Sequence, residues 1–107
     1  MKVLVADKFP EKSIQDLKER DYPLVYDASL KDADLIEALR SENPDVLIVR
    51  STKVTGEMIE AGLNLSLIIR AGAGYNTIDL ETASNSSVYV ANCPGKNAIA
   101  VAELAMG

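Results

Sequence analysis

Short apolar runs alternate with amphipathic stretches along the whole chain. Val3-Leu4-Val5-Ala6 is an apolar run that ends at Asp7. Residues 10–20 read as a helix, with Pro10 at the start, Ile14 and Leu17 about one turn apart, and charges elsewhere. Pro23-Leu24-Val25-Tyr26 predicts a second strand, since Pro is tolerated at the first position of a strand. Ser29 precedes Asp32 by three residues, a capping-box-like start, and Leu35, Ile36 and Leu39 give the stripe of a second helix that Pro44 stops. Val46-Leu47-Ile48-Val49 is an uninterrupted, β-branched run, the pattern of a strand buried on both faces. Thr55 opens a third helix that ends near Gly62. Leu67-Ile68-Ile69 predicts strand four, Thr77 or Asp79 caps a fourth helix to about Ser84, and Val88-Tyr89-Val90 predicts strand five. Asn97 then opens a last segment, 98–106, whose single charge is Glu103.

Strand and helix in strict alternation predict an α/β fold with a parallel sheet and helices on both faces. With right-handed crossovers, five strands in 107 residues suit a three-layer α/β/α arrangement with the flavodoxin-like order 2-1-3-4-5. No internal repeat, linker or low-complexity stretch divides the chain, so residues 1–107 form a single domain. The last helix, about 97–107, breaks the pattern, because a surface helix needs a polar face. Two readings follow. It closes on the Gly107 cap, or it leads into a further domain of a longer protein, of which this chain is a truncated piece. An apolar stripe of that size also predicts a homodimer, by packing of apolar faces or exchange between chains.

Composition narrows the function. Eleven Lys and Arg against sixteen Asp and Glu give a net charge of −5, the wrong sign for a nucleic-acid binder. No apolar run approaches the roughly 18–20 residues of a membrane span, and Met1-Lys2 leads into a run too short for a signal peptide, so the expected compartment is the cytoplasm. The single cysteine, Cys93, excludes a disulfide framework and a cysteine zinc site. The chain has no histidine, which removes the commonest general base near neutral pH and every Ser-His or Cys-His pair. Neither catalytic nor metal-binding residues are expected within it.

Ligands of open parallel sheets bind outside the carboxyl ends of the strands. After strand one stand Asp7-Lys8, and after strand two Asp27. Arg50-Ser51-Thr52-Lys53 follow strand three, Arg70 through Asn76 follow strand four, and Asn92 through Asn97 follow strand five. The last three loops are rich in cations, small residues and amide donors, on a protein that is acidic as a whole. This suits a small anionic ligand. Arg50 offers a planar fork of donors to a carboxylate or phosphate, and Lys53 a mobile point charge; the alternative is that Arg50 pairs with a rim carboxylate. Gly72 and Gly74 leave backbone N–H groups bare, as a carboxylate-binding nest or as a tight turn.

Gly72-Ala73-Gly74 lacks the third glycine of a dinucleotide loop, where Thr77 stands, and strand five closes on Ala91-Asn92 without the acid that holds a ribose. A phospho-receiver needs an acceptor Asp after strand three, where Arg50 stands. A flavin site needs a hydroxyl-rich loop after strand one, where Asp7-Lys8-Phe9-Pro10 stand.

The stretches Val49-Arg50-Ser51-Thr52-Lys53-Val54-Thr55, Arg70-Ala71-Gly72-Ala73-Gly74 through Asp79, Asn92-Cys93-Pro94-Gly95, and Asn97 through Ala102-Glu103-Leu104 are similar, in order and spacing, to the amino-terminal part of the D-2-hydroxyacid dehydrogenase family. The resemblance covers roughly positions 45–107, and the first third matches in pattern only. The Arg-Ser-Thr-Lys stretch resembles the phosphoglycerate-oxidising members more than their lactate, glycerate or formate relatives. The resemblance implies an NAD-dependent oxidation of 3-phosphoglycerate to 3-phosphohydroxypyruvate, the entry to serine synthesis. It implies that Arg50, Ser51 and Lys53 face the substrate phosphate, and that the backbone of Gly72, Ala73 and Gly74 holds its carboxylate. Arg70 stands near the same cleft and Asn97 lines it. It further implies that the catalytic Arg, Glu and His and the NAD site lie beyond residue 107, so that this chain alone binds no cofactor and turns nothing over. Asn76 and Thr77 stand where many relatives have Asp and Asn, and Cys93 where Thr or Ser is usual.

Overall fold

Five apolar runs become five strands of one all-parallel sheet. The computed structural model describes residues 2–6, 15, 24–27, 29–30, 32–50, 52–71 and 78–93. The strands are β1 (Val3–Val5), β2 (Leu24–Tyr26), β3 (Val46–Val49), β4 (Leu67–Ala71) and β5 (Tyr89–Cys93), in the order β2-β1-β3-β4-β5. This is the order that the alternation predicts. Three helices stand among the described residues: α1 (Asp32–Glu42) after β2, α2 (Gly56–Ala61) after β3 and α3 (Leu80–Asn85) after β4. The helix predicted over 10–20 lies outside the described residues apart from Gln15, which is helical, and the segment 97–107 lies wholly outside them.

The core follows from the two-residue period of the strands. Leu4, Leu47, Val49 and Ile68 share one face of the sheet and form a buried cluster with Leu35 and Leu39 of α1, Met58 and Ile59 of α2 and Ala83 of α3. On the opposite face Val3, Val5, Val46, Ile48 and Ile69 are equally buried. Both faces are therefore covered, which is why β3, between β1 and β4, reads as a continuous apolar run. At the edges the sheet opens: all three residues of β2 are half-buried and Tyr89 of β5 is 79% exposed.

Two strands are longer than their apolar runs. β4 continues through Arg70 and Ala71, and β5 through Ala91, Asn92 and Cys93. Arg70 is thus part of a strand and not of the loop after it, a correction to the sequence reading. The reason is pairing. β4 is hydrogen-bonded on both sides, and the rows Val49–Arg70–Asn92 and Ala71–Cys93 extend the ladder past the last aliphatic residue. α3 is capped by Asp79 rather than Thr77, its carboxylate accepting from the Thr82 N–H at 3.1 Å. The Ser29 hydroxyl donates to Asp27, so its bond closes a turn after β2.

The ends of the helices are set by short-range chemistry. α1 stops where Asn43 takes a left-handed φ of 50°, its N–H on the Leu39 carbonyl at 3.2 Å and its Oδ1 accepting from the Asn64 N–H at 3.3 Å. Thr55 caps α2 through the Met58 N–H, and Gly62 closes it. At the amino edge of the sheet the Lys2 N–H donates to Asp45 at 2.9 Å and the Lys2 ammonium pairs with Glu42 at 3.0 Å. The pair is about one-third exposed and contributes at most about 1 kcal/mol.

Leu47 is fully buried at the centre of the cluster, and Leu63 is 86% exposed in the turn after α2. Leu47→Ala is expected to lower unfolding free energy by about 2–5 kcal/mol, while Leu63→Ala changes it by no more than about 0.5 kcal/mol. Urea denaturation of the two variants checks both values.

Candidate functional site

The carboxyl ends of β3, β4 and β5 lie side by side because their register is fixed: Val49, Arg70 and Asn92 stand in one row. Arg50 is the first residue past β3, one step beyond that row, and it is exposed. Arg70 lies in the row itself, half-buried, on the side of the sheet that also carries Ile68. Lys53 is exposed and sits immediately before the bridge residue Val54. The structure thus brings Arg50, Lys53 and Arg70 to one edge. Arg50, Thr52 and Arg70 each have an interaction partner, so none of the three is an idle group. Ser51, Gly72, Ala73, Gly74 and Asn97 lie outside the described residues, as do the side chains of Asn92 and Cys93.

Two features hold this edge together that the sequence reading missed. The first is an isolated parallel bridge between Val54 and Ile78, reinforced by the Asp79 N–H on the Val54 carbonyl at 3.0 Å. It ties the loop after β3 to the far end of the loop after β4. Both bridge residues are buried, at 1% and 6% exposure. The second is the close approach of the first turns of α2 and α3 at Gly56, where an added Cβ would lie 2.7 Å from Thr82 Oγ1. The available signal was weak: a buried Val54 between Lys53 and the Thr55 cap, and a glycine at the first position of a helix.

The acids nearby are occupied by their own turns. Asp27, at the end of the edge strand β2, accepts from both the N–H and the hydroxyl of Ser29, which holds its carboxyl below the ordinary carboxylate range. Asp79 accepts from the backbone N–H of Thr82 first and its hydroxyl second, at 3.1 and 2.9 Å, and is likewise lowered. Neither is poised near neutral pH, as a general base would be. What the arrangement can do is bind. Guanidinium and ammonium groups at the mouth of two strands make short, charge-assisted hydrogen bonds to a carboxylate or phosphate. β5 ends in Ala91-Asn92-Cys93, with no carboxylate at the position where a ribose-binding acid would stand. Among the described residues no group of three or more His, Cys, Asp or Glu could hold a metal ion, and no helix is long and apolar enough to cross a membrane.

Comparison with known proteins shows the family and the fold. Residues 3–106 match the family described as D-isomer specific 2-hydroxyacid dehydrogenase, catalytic domain. A hydroxypyruvate reductase of Thermotoga maritima is 41% identical over 107 residues, which is 99% of this chain and 34% of that protein. A D-3-phosphoglycerate dehydrogenase of Methanocaldococcus jannaschii is 41% identical over 108 residues, covering 100% of this chain and 20% of that protein. Among solved structures, the NAD+-bound 3-phosphoglycerate dehydrogenase of Entamoeba histolytica superposes with a TM-score of 0.78 at 36% identity, over 100% of this chain and 37% of that one. The chain therefore spans about a third of the first of these curated relatives and a fifth of the second, while matching both along nearly its own full length.

The two lowered carboxyls give a pH prediction. Each contributes stability that is present above its unfolded value near 3.8 and is lost as pH falls through its lower folded value. Urea midpoints are expected to hold from neutral pH down to about pH 4 and to drop below it. Asp79→Asn keeps a cap oxygen and removes the titration, so its share of the drop disappears.

Proposed function

Since the chain belongs to the D-isomer specific 2-hydroxyacid dehydrogenase family, a family of oxidoreductases, we propose that it is the substrate-binding domain of an NAD-dependent D-3-phosphoglycerate dehydrogenase. The substrate is 3-phosphoglycerate and the product 3-phosphohydroxypyruvate, at the entry to serine synthesis. In this reading Arg50, Ser51 and Lys53 take the phosphate, and the N–H groups of Gly72, Ala73 and Gly74 take the carboxylate. Arg70 keeps the wall between them cationic and Asn97 lines the cleft. NAD, held by other parts of such an enzyme, supplies the hydride acceptor; this chain binds the hydroxyacid and orients it. The chain alone is therefore expected to bind without turnover.

One observation carries the reading: two exposed cations, Arg50 and Lys53, stand at the carboxyl edge of β3, where the Val54–Ile78 bridge joins their loop to that of β4. Two anionic ends of one small molecule then find partners on adjacent loops. A second reading is favoured by the Thermotoga relative, named for hydroxypyruvate, which carries no phosphate. There the carboxylate site is the same and the Arg50–Lys53 pair does not touch the substrate.

Calorimetry with the two ligands separates them. Arg50→Ala and Lys53→Ala are each expected to weaken 3-phosphoglycerate by about tenfold or more, the scale of a charged hydrogen bond, and to leave D-glycerate unchanged. Hydroxypyruvate bound more tightly than 3-phosphoglycerate, with no effect of either variant, would establish the second reading instead.

A further inference from the structure

We infer that Gly56 is a positioning residue: by bearing no side chain it lets the first turns of α2 and α3 meet, and so holds in place the Val54–Ile78 bridge, which adjoins Lys53. The inference rests on the anion-binding reading above and goes further, assigning the placement of Lys53 beside Arg50 to a residue that touches no substrate.

The contact leaves no room. A Cβ at position 56 would lie 2.7 Å from Thr82 Oγ1, 2.9 Å from Asp79 Oδ2 and 3.4 Å from Thr82 Cβ. Neither neighbour can yield cheaply. The Asp79 carboxylate is bound to the Thr82 N–H and hydroxyl, capping α3, and the Asp79 N–H is itself on the Val54 carbonyl. A methyl group here pushes on the cap, and through Asp79 on the Val54–Ile78 bridge. The strain is passed along a three-part chain, Gly56 to Asp79 to Val54. Val54 is one residue from Lys53, and Ile78 ends the segment that begins after Ala71. Parting the helices by a few tenths of an ångström shifts Val54, and with it Lys53, relative to Arg50 at the end of β3. Charge-assisted bonds in a fixed geometry are sensitive to such a shift.

A built-in control lies just past the other end of α2. A Cβ at Gly62, beyond the far end of α2, would meet Leu65 Cβ at 3.1 Å and Leu39 Cδ2 at 3.7 Å. Gly62→Ala therefore strains packing without touching the Asp79–Val54 bond.

The test reads amide hydrogen exchange at Asp79, relative to Ile68 in the core, together with 3-phosphoglycerate affinity. In Gly56→Ala the Asp79 amide is expected to exchange about tenfold faster relative to Ile68, and affinity to fall about tenfold. Gly62→Ala lowers overall stability and leaves both readings as in the wild type. Gly56→Ala combined with Thr82→Ala, which removes the nearest clashing atom, is expected to recover most of the affinity. Thr82→Leu enters the same gap from α3 and gives an independent reading of the same sign as Gly56→Ala. An Asp79 amide as protected in Gly56→Ala as in the wild type overturns the inference, and so does an equal loss of affinity in Gly62→Ala. A wild type that binds no 3-phosphoglycerate, with the Asp79 amide exposed in Gly56→Ala, contradicts the phosphate-site reading and supports the coupling of Gly56 to the Asp79–Val54 bond.

Discussion

The register of β3 between β1 and β4 is the constraint on which the rest of the molecule depends. All four residues of β3 are buried, Leu47 and Val49 toward the described helices and Val46 and Ile48 toward the opposite face. Slipping this strand by one residue would exchange the two sets and flip every side chain of the run. Nothing in an apolar strand buried on both faces tolerates a polar replacement, so the first position where charge can appear is the one just past Val49. That position is Arg50. The chemistry at this edge is thus a consequence of where the core ends.

The same register decides what Arg50 has beside it. Pairing with β4 places Arg70 opposite Val49, and pairing of β4 with β5 brings Asn92 into the row. A protein of net charge −5 carries Arg50, Lys53 and Arg70, three of its eleven cations, here, while Asp27 is spent on a turn and Asp79 on a cap. The Val54–Ile78 bridge then joins the loops that leave adjacent strands. The fold supplies the frame, and the bridge ties Val54 to Ile78 across it. The match over residues 3–106 places the chain in the D-isomer specific 2-hydroxyacid dehydrogenase family.

How much of this the chain announces varies with the physics of each part. β3 is readable to the residue, because its boundaries are Pro44-Asp45 on one side and Arg50 on the other and every position between is apolar. Thr55 is readable as a cap, and Asp79 as one of two candidates beside Thr77, because a side-chain oxygen before a helix has few other uses. The carboxyl ends of β4 and β5 are not, because Arg70, Asn92 and Cys93 are held in strands by neighbours distant in sequence and by no preference of their own. Ser29 misleads for a local reason: its hydroxyl has an acceptor two residues back, in Asp27. Gly56 is silent in the sequence, since only the approach of a second helix shows why a side chain is forbidden there. Arg50 and Lys53 are found at the expected edge, while Ser51, Gly72, Ala73, Gly74 and Asn97 fall outside the described residues.

The most direct measurement is a two-dimensional NMR titration of the chain with 3-phosphoglycerate, run beside a second titration with NAD. Saturable shifts at Arg50, Lys53, Arg70 and residues 72–74 are expected with 3-phosphoglycerate, and none at those positions with NAD. The same shifts from NAD would contradict a substrate site at the carboxyl edge. So would shifts from 3-phosphoglycerate confined to the far edge of the sheet, around Leu80, Ser84 and Tyr89.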